Sequence, residues 1–414
     1  MSRWTKAMAT IAVAVAMGAG SSLAATAQFP GGRVSPGGAA GTSAPEGTAP
    51  PRIVEEVYQR GVEHVDLERL DELYRSVDRD VQDRVRLDFR RFLTTAGREG
   101  LPSAAEVLDA AVAILTRELV ANARTLARIV ALSLLGAVLA QLGKGVGGQG
   151  VQDVAQAAVL VALVWIGLES LTLALRMVGQ SVQQMSAIAQ AVMPTLSSLA
   201  LLAGAGPASL ALHPVLLGVV TLAATVLERV VVPGLVIGGG LAVAGHVAPD
   251  FPISRLSSLV HQLALTALGL TLTILLGATA VRGAIAPVAD GVALRTVKYL
   301  TGATVPVVGR MMSEAVEVVA GGSTLIRSGI GVIGLALVML AALAPVLKLL
   351  AVIFVYRLAS AVLQPVSDPR IVGALGAMGD TLGLLLSALA ATVVVFVLAL
   401  AATIGAGTMA VLAR

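Results

Sequence analysis

The sequence predicts an all-α, polytopic membrane protein of about eight transmembrane helices. Its mean hydropathy is +0.87, and only 13% of its 414 residues are charged, about half the share found in soluble chains. Several apolar runs are about twenty residues long, the length that a helix needs to cross the ~30 Å hydrocarbon core. The charges are clustered, since 12 acids and 10 bases lie within residues 51–100.

Composition excludes several functions. The chain has no cysteine, so disulfides, thiolate catalysis and cysteine-ligated metals are ruled out. Its four histidines are scattered, which predicts no metal site, and His213 and His246 fit a helix-start or interface role. The net charge of +4 is dispersed without a basic stripe, which disfavours nucleic-acid binding. Catalytic signatures such as His-Glu-x-x-His, Gly-x-Ser-x-Gly and the P-loop do not occur, so we expect neither an enzyme nor a cofactor.

The N-terminus has the pattern of a secretory signal. Arg3 and Lys6 precede a short apolar run, and the small residues Ala25-Thr26-Ala27 then suit a signal peptidase. Residues 1–27 are therefore predicted to be a signal peptide, with an uncleaved anchor as the alternative. Residues 28–52 are rich in proline, glycine, alanine and serine, and we expect a disordered linker there.

Residues 53–105 form a charged segment with helical periodicity. Apolar residues recur at three- and four-residue steps with charges between them, which predicts one or two amphipathic helices outside the membrane. If the signal is cleaved, this segment is extracytoplasmic. Ser103 and Glu106 have the spacing of a capping box and predict the start of the next helix.

Residues 106–414 are predicted to form the multipass membrane domain. Lysines and arginines fall on both sides of the apolar runs, so charge does not settle the orientation. The predicted spans are 126–143, 155–175, 209–227, 230–248, 259–281, 325–344, 346–364 and 380–405.

The membrane domain shows signs of an internal repeat, with units at about 155–255 and 259–370. Each unit has, in order, an apolar run, a polar amphipathic stretch with a proline (Pro194, Pro306), a glycine-rich break and two close apolar runs. The predicted hairpin breaks are Pro194, Pro306, Gly321 and Gly322. If the polar stretch does not cross the membrane, each unit has three spans and the second unit is inverted. Inverted repeats with Gly/Pro-interrupted segments are typical of many transporters. If the stretch does cross, the units are parallel.

The most polar stretch of the membrane domain is 288–320. It predicts two short helices, about 289–302 and 307–320, broken at Pro306 and followed by Gly321 and Gly322. Each would rise about 21 Å, too little to span the bilayer. One alternative is an interfacial hairpin with solvated charges, and the other is a re-entrant hairpin lining a water-filled path or a subunit contact. The candidate polar residues are Asp290, Arg295, Lys298, Arg310, Glu314 and Glu317.

Other charges interrupt the apolar runs. Glu228 and Arg229 are predicted to mark a short loop between two spans, since adjacent helical residues point about 100° apart. Lys348 and Arg357 are expected to reach opposite interfaces by extending their side chains. Asp380 is predicted to cap the N-terminus of the last span.

Several blocks of this sequence resemble the stage III sporulation protein AE family. The resemblance extends over about 120–405 and is most specific at 288–335. It rests on the blocks "LHPVLLGVVTLAATVLERVVVP", "PDFPISRLSSL", "VADGVALRTVKYLTGATVPVVGRMMSEAVEVV", "LIRSGIGVIGL" and "YRLASAVLQPVSDPRIVGALGAMGDTL".

The resemblance implies a role in sporulation. It implies a multipass protein of the mother-cell membrane around the forespore, within a complex related to secretion systems. The implied partners are a cytoplasmic ATPase, a secretion-type platform protein, extracytoplasmic ring proteins and membrane lipid. The family member is regarded as the channel or transport subunit of that complex, and a non-conducting membrane scaffold is the alternative. The family supplies no catalytic residues to carry over.

Overall fold

The computed structural model describes the backbone of residues 67–95, 100–146, 148–202, 207–247, 253–302 and 308–412. The side chains of these ranges are described except at 67, 90, 94, 140, 142–153, 155, 201–212, 283–325 and 405–412. The predicted signal peptide and linker lie outside these ranges. Every regular element in the described part is helical, which confirms the predicted all-α class.

Three short helices form an N-terminal module: α1 (Leu67–Arg75), α2 (Arg79–Gln82) and α3 (Phe89–Thr94). Asp78 and Asp88 cap α2 and α3 by accepting hydrogen bonds from Asp80 N and Arg91 N. The apolar side chains that the module buries are continuous with the core of the long helices, and they are Leu70, Val77, Val81, Val85, Phe89, Phe92 and Leu93. These buried side chains explain how such short helices hold together, since a helix of four to nine residues is marginal alone.

The phenol of Tyr74 fixes the module's interior. Its ring packs edge-on against Phe89 with centroids 5.9 Å apart, and its hydroxyl donates to the carbonyl of Val85. Burial of the phenol raises the pKa of Tyr74 above 10.0. The protonated donor is therefore the form that the folded module favours.

The connection to the membrane domain depends on Gly100 and on a helix cap. Gly100 has a φ of +106°, and a Cβ there would overlap the backbone of Asp88 and Phe92. Ser103 N donates to Glu106 Oε2 at 3.1 Å, and Glu106 N donates to Ser103 Oγ at 3.2 Å. The predicted capping box is thus confirmed, and it starts the first long helix.

The remaining elements are long helices joined by short connections. They are α4 (Ala104–Val146), α5 (Gly148–Leu202), α6 (Pro207–Val226), α7 (Val232–Val247), α8 (Ser254–Gly302), α9 (Val308–Leu363) and α10 (Pro369–Leu412). A π-helical turn, Leu227–Val231, joins α6 and α7 into one helix. Within the described ranges, six helices are long and apolar enough to cross a membrane. The predicted number of eight is wrong.

In two places, a pair of predicted spans forms one continuous helix. The predicted loop at Glu228-Arg229 is the π-helical turn, so 209–227 and 230–248 are continuous. The predicted spans 325–344 and 346–364 join through Pro345 within α9. Proline is tolerated inside membrane helices because neighbouring groups satisfy the freed carbonyl. The twenty-residue rule divided these helices because it assumes that each apolar run of that length is one crossing.

The helix α9 lies at the centre of the molecule. It packs against α4, α5 and α10, and the N-terminal module contacts it at Gly329 and Lys348. Its most apolar window is 67% buried by protein, against 22% for α8. Its span of 38 residues rises about 57 Å, well beyond the ~30 Å hydrocarbon core. Part of its apolarity therefore serves a protein core rather than lipid contact.

Each predicted repeat unit contains two long helical spans. The unit 155–255 holds α5 and the continuous α6–α7 helix, and the unit 259–370 holds α8 and α9. If each of these helices crosses the membrane once, both units run in the same sense, which favours the parallel alternative. The repeat itself stays a prediction, and the transporter analogy that depended on inversion weakens with it.

Candidate functional site: polar groups along the membrane helices

The predicted polar hairpin lies at the junction of α8 and α9. Its first helical stretch is the end of α8, which runs without interruption from Ser254 to Gly302, and its second is the beginning of α9. The break at Pro306 and the side chains of 283–325 lie outside the described residues. The proposed polar roles therefore stay predictions for Asp290, Arg295, Lys298, Arg310, Glu314 and Glu317.

Two of the predicted helix breaks lie within continuous helix. The helix α5 passes through Pro194, and α9 passes through Gly321 and Gly322. Pro194 is exposed and cannot donate a backbone hydrogen bond. The chain stays helical after Pro194, and Thr195 Oγ1 donates to the carbonyl of Ala191 at 3.2 Å. Packing of the buried neighbours Val192, Met193 and Leu196 offsets the local cost, which explains the difference from the prediction.

The helix α5 exposes a long polar face. Successive steps of seven, four, three and seven residues keep these side chains on one side of the helix. Gln183 Nε2 donates to Glu228 Oε1 at 2.5 Å, and Gln190 Nε2 donates to Ser186 Oγ at 3.0 Å. We call this surface the α5 polar face, and its exposed members are Glu169, Arg176, Gln180, Gln183 and Gln190.

The neighbouring helix α4 contributes basic groups. Arg117, Arg124 and Arg128 are exposed and follow one another at steps of seven and four residues, so they share a face. A cavity of about 160 Å³ lies between α4, α5 and α9, and both Arg128 and Glu169 line it. The other polar groups of its wall are Asn122, Thr125 and Ser170. Opposite charges and neutral donors thus meet at one cavity between helices long enough to span a bilayer.

Lys348 anchors the N-terminal module. Its Nζ lies 2.7 Å from Asp78 Oδ2, and Arg117 pairs with Asp80 of the same module. Gln184 Nε2 adds a hydrogen bond of 2.7 Å to the carbonyl of Ser76. The expectation that Lys348 extends to a membrane interface stays a prediction, and the structure adds that its partner is a carboxylate 270 residues away in sequence.

Asp380 differs from its prediction, whereas the interface position predicted for Arg357 stays a prediction. Arg357 Nη2 lies 2.7 Å from Asp380 Oδ1, so the two residues join α9 to α10. Asp380 is inside α10, which begins at Pro369, and therefore does not cap the helix. The cap predicted at Asp380 is replaced by Asp368, whose side chain accepts from Arg370 N at 2.7 Å.

The histidines have structural contacts. His246 Nδ1 hydrogen-bonds to the carbonyl of Ala242 at 2.8 Å, and its ring lies against Gly373. His261 Nε2 contacts the carbonyl of Leu235 at 3.2 Å. His213 is buried inside α6 rather than at its start. The described residues contain no group of three or more histidine, aspartate or glutamate side chains placed to hold a metal.

Sequence reasoning missed the contacts that join distant segments. The Lys348–Asp78 and Arg357–Asp380 pairs depend on which helices are neighbours, which periodicity does not reveal. The α5 polar face was partly visible, because Gln183, Ser186 and Gln190 share a face in the sequence. Glu169 and Arg176 extend that face only because α5 is continuous.

Six long apolar helices among the described residues define a polytopic helical membrane protein, and one of these helices, α5, has exposed polar side chains along one side. The chain belongs to the stage III sporulation protein AE family, whose model matches residues 87–407. The stage III sporulation protein AE of Bacillus subtilis (strain 168) is 31% identical over 311 residues, which cover 75% of this chain and 77% of the relative. No solved structure matches the chain at a significant level.

Proposed function

We propose that this protein is the channel or transport subunit of a secretion-like sporulation complex that links mother cell and forespore. It would lie in the mother-cell membrane around the forespore, beside ring proteins, a platform protein and a cytoplasmic ATPase. Membership of the sporulation family and six membrane-length helices support this proposal. The α5 polar face is the single observation that favours a path over a purely structural role.

The position of the α5 polar face within its helix carries the argument. The apolar part of the span before Glu169 starts at Gln156 and rises only about 20 Å. That is less than the ~30 Å of a hydrocarbon core. If α5 crosses the bilayer, part of the face must therefore lie at hydrocarbon depth. Ionisable groups there cost several kcal/mol unless they face a partner or a water-filled cavity.

The non-conducting scaffold is favoured by a different observation. The N-terminal module is fixed to the membrane helices by the Lys348–Asp78 and Arg117–Asp80 pairs and by a shared apolar core. Such an attachment gives a fixed surface on which ring or platform proteins could assemble. The two functions differ in one outcome, namely whether solute supply fails while assembly is intact.

Replacing Gln180, Gln183 and Gln190 together with leucine separates the two functions. These changes remove the three amides of the α5 polar face while keeping helix propensity and approximate side-chain size. In sporulating cells, complex assembly is measured by co-purification, and forespore supply is measured separately. A path predicts intact assembly with lost supply, and a scaffold predicts lost assembly.

The matched control places three changes on the exposed apolar face of α8: Leu263→Ile, Leu270→Ile and Ile274→Leu. These should alter neither assembly nor supply.

Charge reversal at Glu314 and Glu317 applies the same pair of measurements to the predicted polar hairpin. Loss of neither assembly nor supply in the triple leucine variant would remove the α5 polar face from the proposed path.

A further inference from the structure

Three basic side chains from three helices meet in the interior of the protein. Arg327 of α9 is 2% exposed, Arg282 of α8 is 5% exposed and His213 of α6 is 9% exposed. Arg282 is close enough to act electrostatically on both other groups, and Arg327 acts on His213. We call these three residues the basic cluster. Nothing in its sequence spacing suggests it, since its members are up to 114 positions apart.

Most of the cluster's nitrogen atoms have no partner. Arg327 Nη2 donates to the carbonyl of Thr403 on α10, which fixes this guanidinium in place. Among the described residues, no group hydrogen-bonds to Arg282 Nε or Nη1, to Arg327 Nε or Nη1, or to either ring nitrogen of His213. Six buried nitrogens of the basic cluster thus lack an acceptor among the described residues. Buried polar atoms in folded proteins are almost always paired.

The charge of the cluster is also unbalanced. Within the described part of the chain, the charged groups that act on these three residues are the other members of the cluster, and no carboxylate does. Burying an unpaired cation costs several kcal/mol, and two guanidiniums close together add repulsion. The arrangement is therefore incomplete without a negative charge.

We propose that His213, Arg282 and Arg327 form a binding site for an oxyanion with phosphate or carboxylate chemistry. Guanidinium groups bind such oxygens through paired, charge-assisted hydrogen bonds, and a third donor from the histidine fits a multi-oxygen ligand. Arg282 lies within α8, twenty residues before its end at Gly302, and Arg327 lies within α9, nineteen residues after its start at Val308. The inference goes beyond the proposed transport role, because an anion can bind whether or not the protein conducts.

The test is anion binding to the purified full chain in detergent, measured by calorimetry. Inorganic phosphate and acetate are titrated separately at constant ionic strength set with chloride. The wild-type protein should bind at least one of these anions at one site per chain. Arg282→Met and Arg327→Met should each weaken binding at least tenfold, since methionine removes the donors and keeps an unbranched chain of similar reach.

Arg176→Met and Arg229→Met are the matched controls. Both arginines lie in membrane-length helices but are exposed, so their loss should change the dissociation constant by less than about twofold. Replacing a buried ion by methionine is often tolerated or stabilising, so the cluster variants should fold. If the cluster variants do not fold, an absence of anion binding by the wild-type protein would still refute the proposal.

Three results would overturn the proposal. The first is that the wild-type protein binds neither anion, and the second is that binding is unchanged in both cluster variants. The third is that phosphate or acetate binds only to a variant that combines Asp290→Asn, Glu314→Gln and Glu317→Gln. That result would mean that a carboxylate of the segment 283–325 occupies the cluster. Phosphate or acetate binding by a protein that fails every transport measurement would leave the site standing and remove the path.

Discussion

The helices α5 and α8 are both membrane-length and strongly apolar, yet they expose opposite kinds of side chain. The exposed face of α8 is mostly leucine, isoleucine and valine, among them Leu263, Leu270 and Ile274, and its exposed polar side chains include the uncharged Gln262, Thr266 and Thr273. The α5 polar face exposes glutamine, glutamate and arginine over a comparable length. Mean hydropathy makes the two spans alike, at 2.2 and 2.0, and the kind and placement of their polar side chains separate them.

This difference indicates where lipid contacts the protein. The α8 face matches acyl chains and has no charged residue between Arg255 and Arg282. The α5 polar face would leave charges and amides unsolvated against lipid, so it must meet water or another protein. One molecule therefore presents two environments on different sides, as a subunit lining a path or a contact requires.

The largest expected effect comes from placing a charge on each face. Leu270→Arg puts a guanidinium on the lipid-facing side of α8, where it costs about 2.5–3.5 kcal/mol near the middle of a span. Gln180→Arg puts the same group on the α5 polar face, where it should cost little. The amount of protein in the membrane fraction that resists protease should fall several-fold for Leu270→Arg alone. Equal losses in both variants would remove the distinction between the two faces.

A smaller effect is expected where helices approach most closely. A Cβ on Gly239 of α7 would overlap the side chain of Thr381 on α10, while nothing lies within 4 Å of such an atom on Gly218 of α6. Gly239→Ala should therefore destabilise the protein by about 1–3 kcal/mol. Gly218→Ala should be neutral or stabilising by up to about 1 kcal/mol.

Thermal unfolding in detergent measures both glycine variants. A lower melting temperature for Gly239→Ala, with no decrease for Gly218→Ala, is the expected result. Equal melting temperatures would mean that α7 and α10 are not packed as closely as described. The two glycine variants extend the comparison to the helix faces inside the bundle. There, small residues rather than polar ones determine how closely the helices pack.

The smallest effects are expected from the ion pairs. The side chains of Lys348 and Asp78 are 24% and 30% exposed, whereas those of Arg357 and Asp380 are 45% and 69% exposed. Solvent weakens the second pair more, and exposed pairs contribute about 0.2–1 kcal/mol. Double-mutant cycles with methionine and asparagine should therefore give a larger coupling energy for Lys348–Asp78. A larger coupling for Arg357–Asp380 would contradict the docking of the N-terminal module.

Much of the fold was predictable from local sequence signals. The all-α class follows from composition and apolar runs, and the start of α4 follows from the capping box at Ser103 and Glu106. The number of spans was wrong because a continuous apolar helix, such as α9, is longer than one crossing and is buried partly by protein. Hydropathy does not distinguish a residue that contacts lipid from one that contacts another helix.

The site was less predictable. The charge of the stretch 288–320 predicts a candidate site there. The pairing of Lys348 with Asp78 and the electrostatic interaction of Arg282 with Arg327 depend instead on tertiary structure. Pro194 was expected to break its helix because proline does so in isolation. The packing of the surrounding apolar residues decided otherwise, and a single sequence does not contain that information.

The central claim is that the α5 polar face is shielded from acyl chains while the α8 face contacts them. The chain has no native cysteine, so single cysteines at Gln180, Gln183, Gln190, Leu263, Leu270 and Ile274 can each carry one spin label. Collision rates with oxygen and with a water-soluble nickel chelate are then measured in lipid bilayers. The account predicts oxygen-dominated collisions at the three α8 positions, and low oxygen access at the three α5 positions. Oxygen-dominated collisions of equal strength on both helices would contradict it.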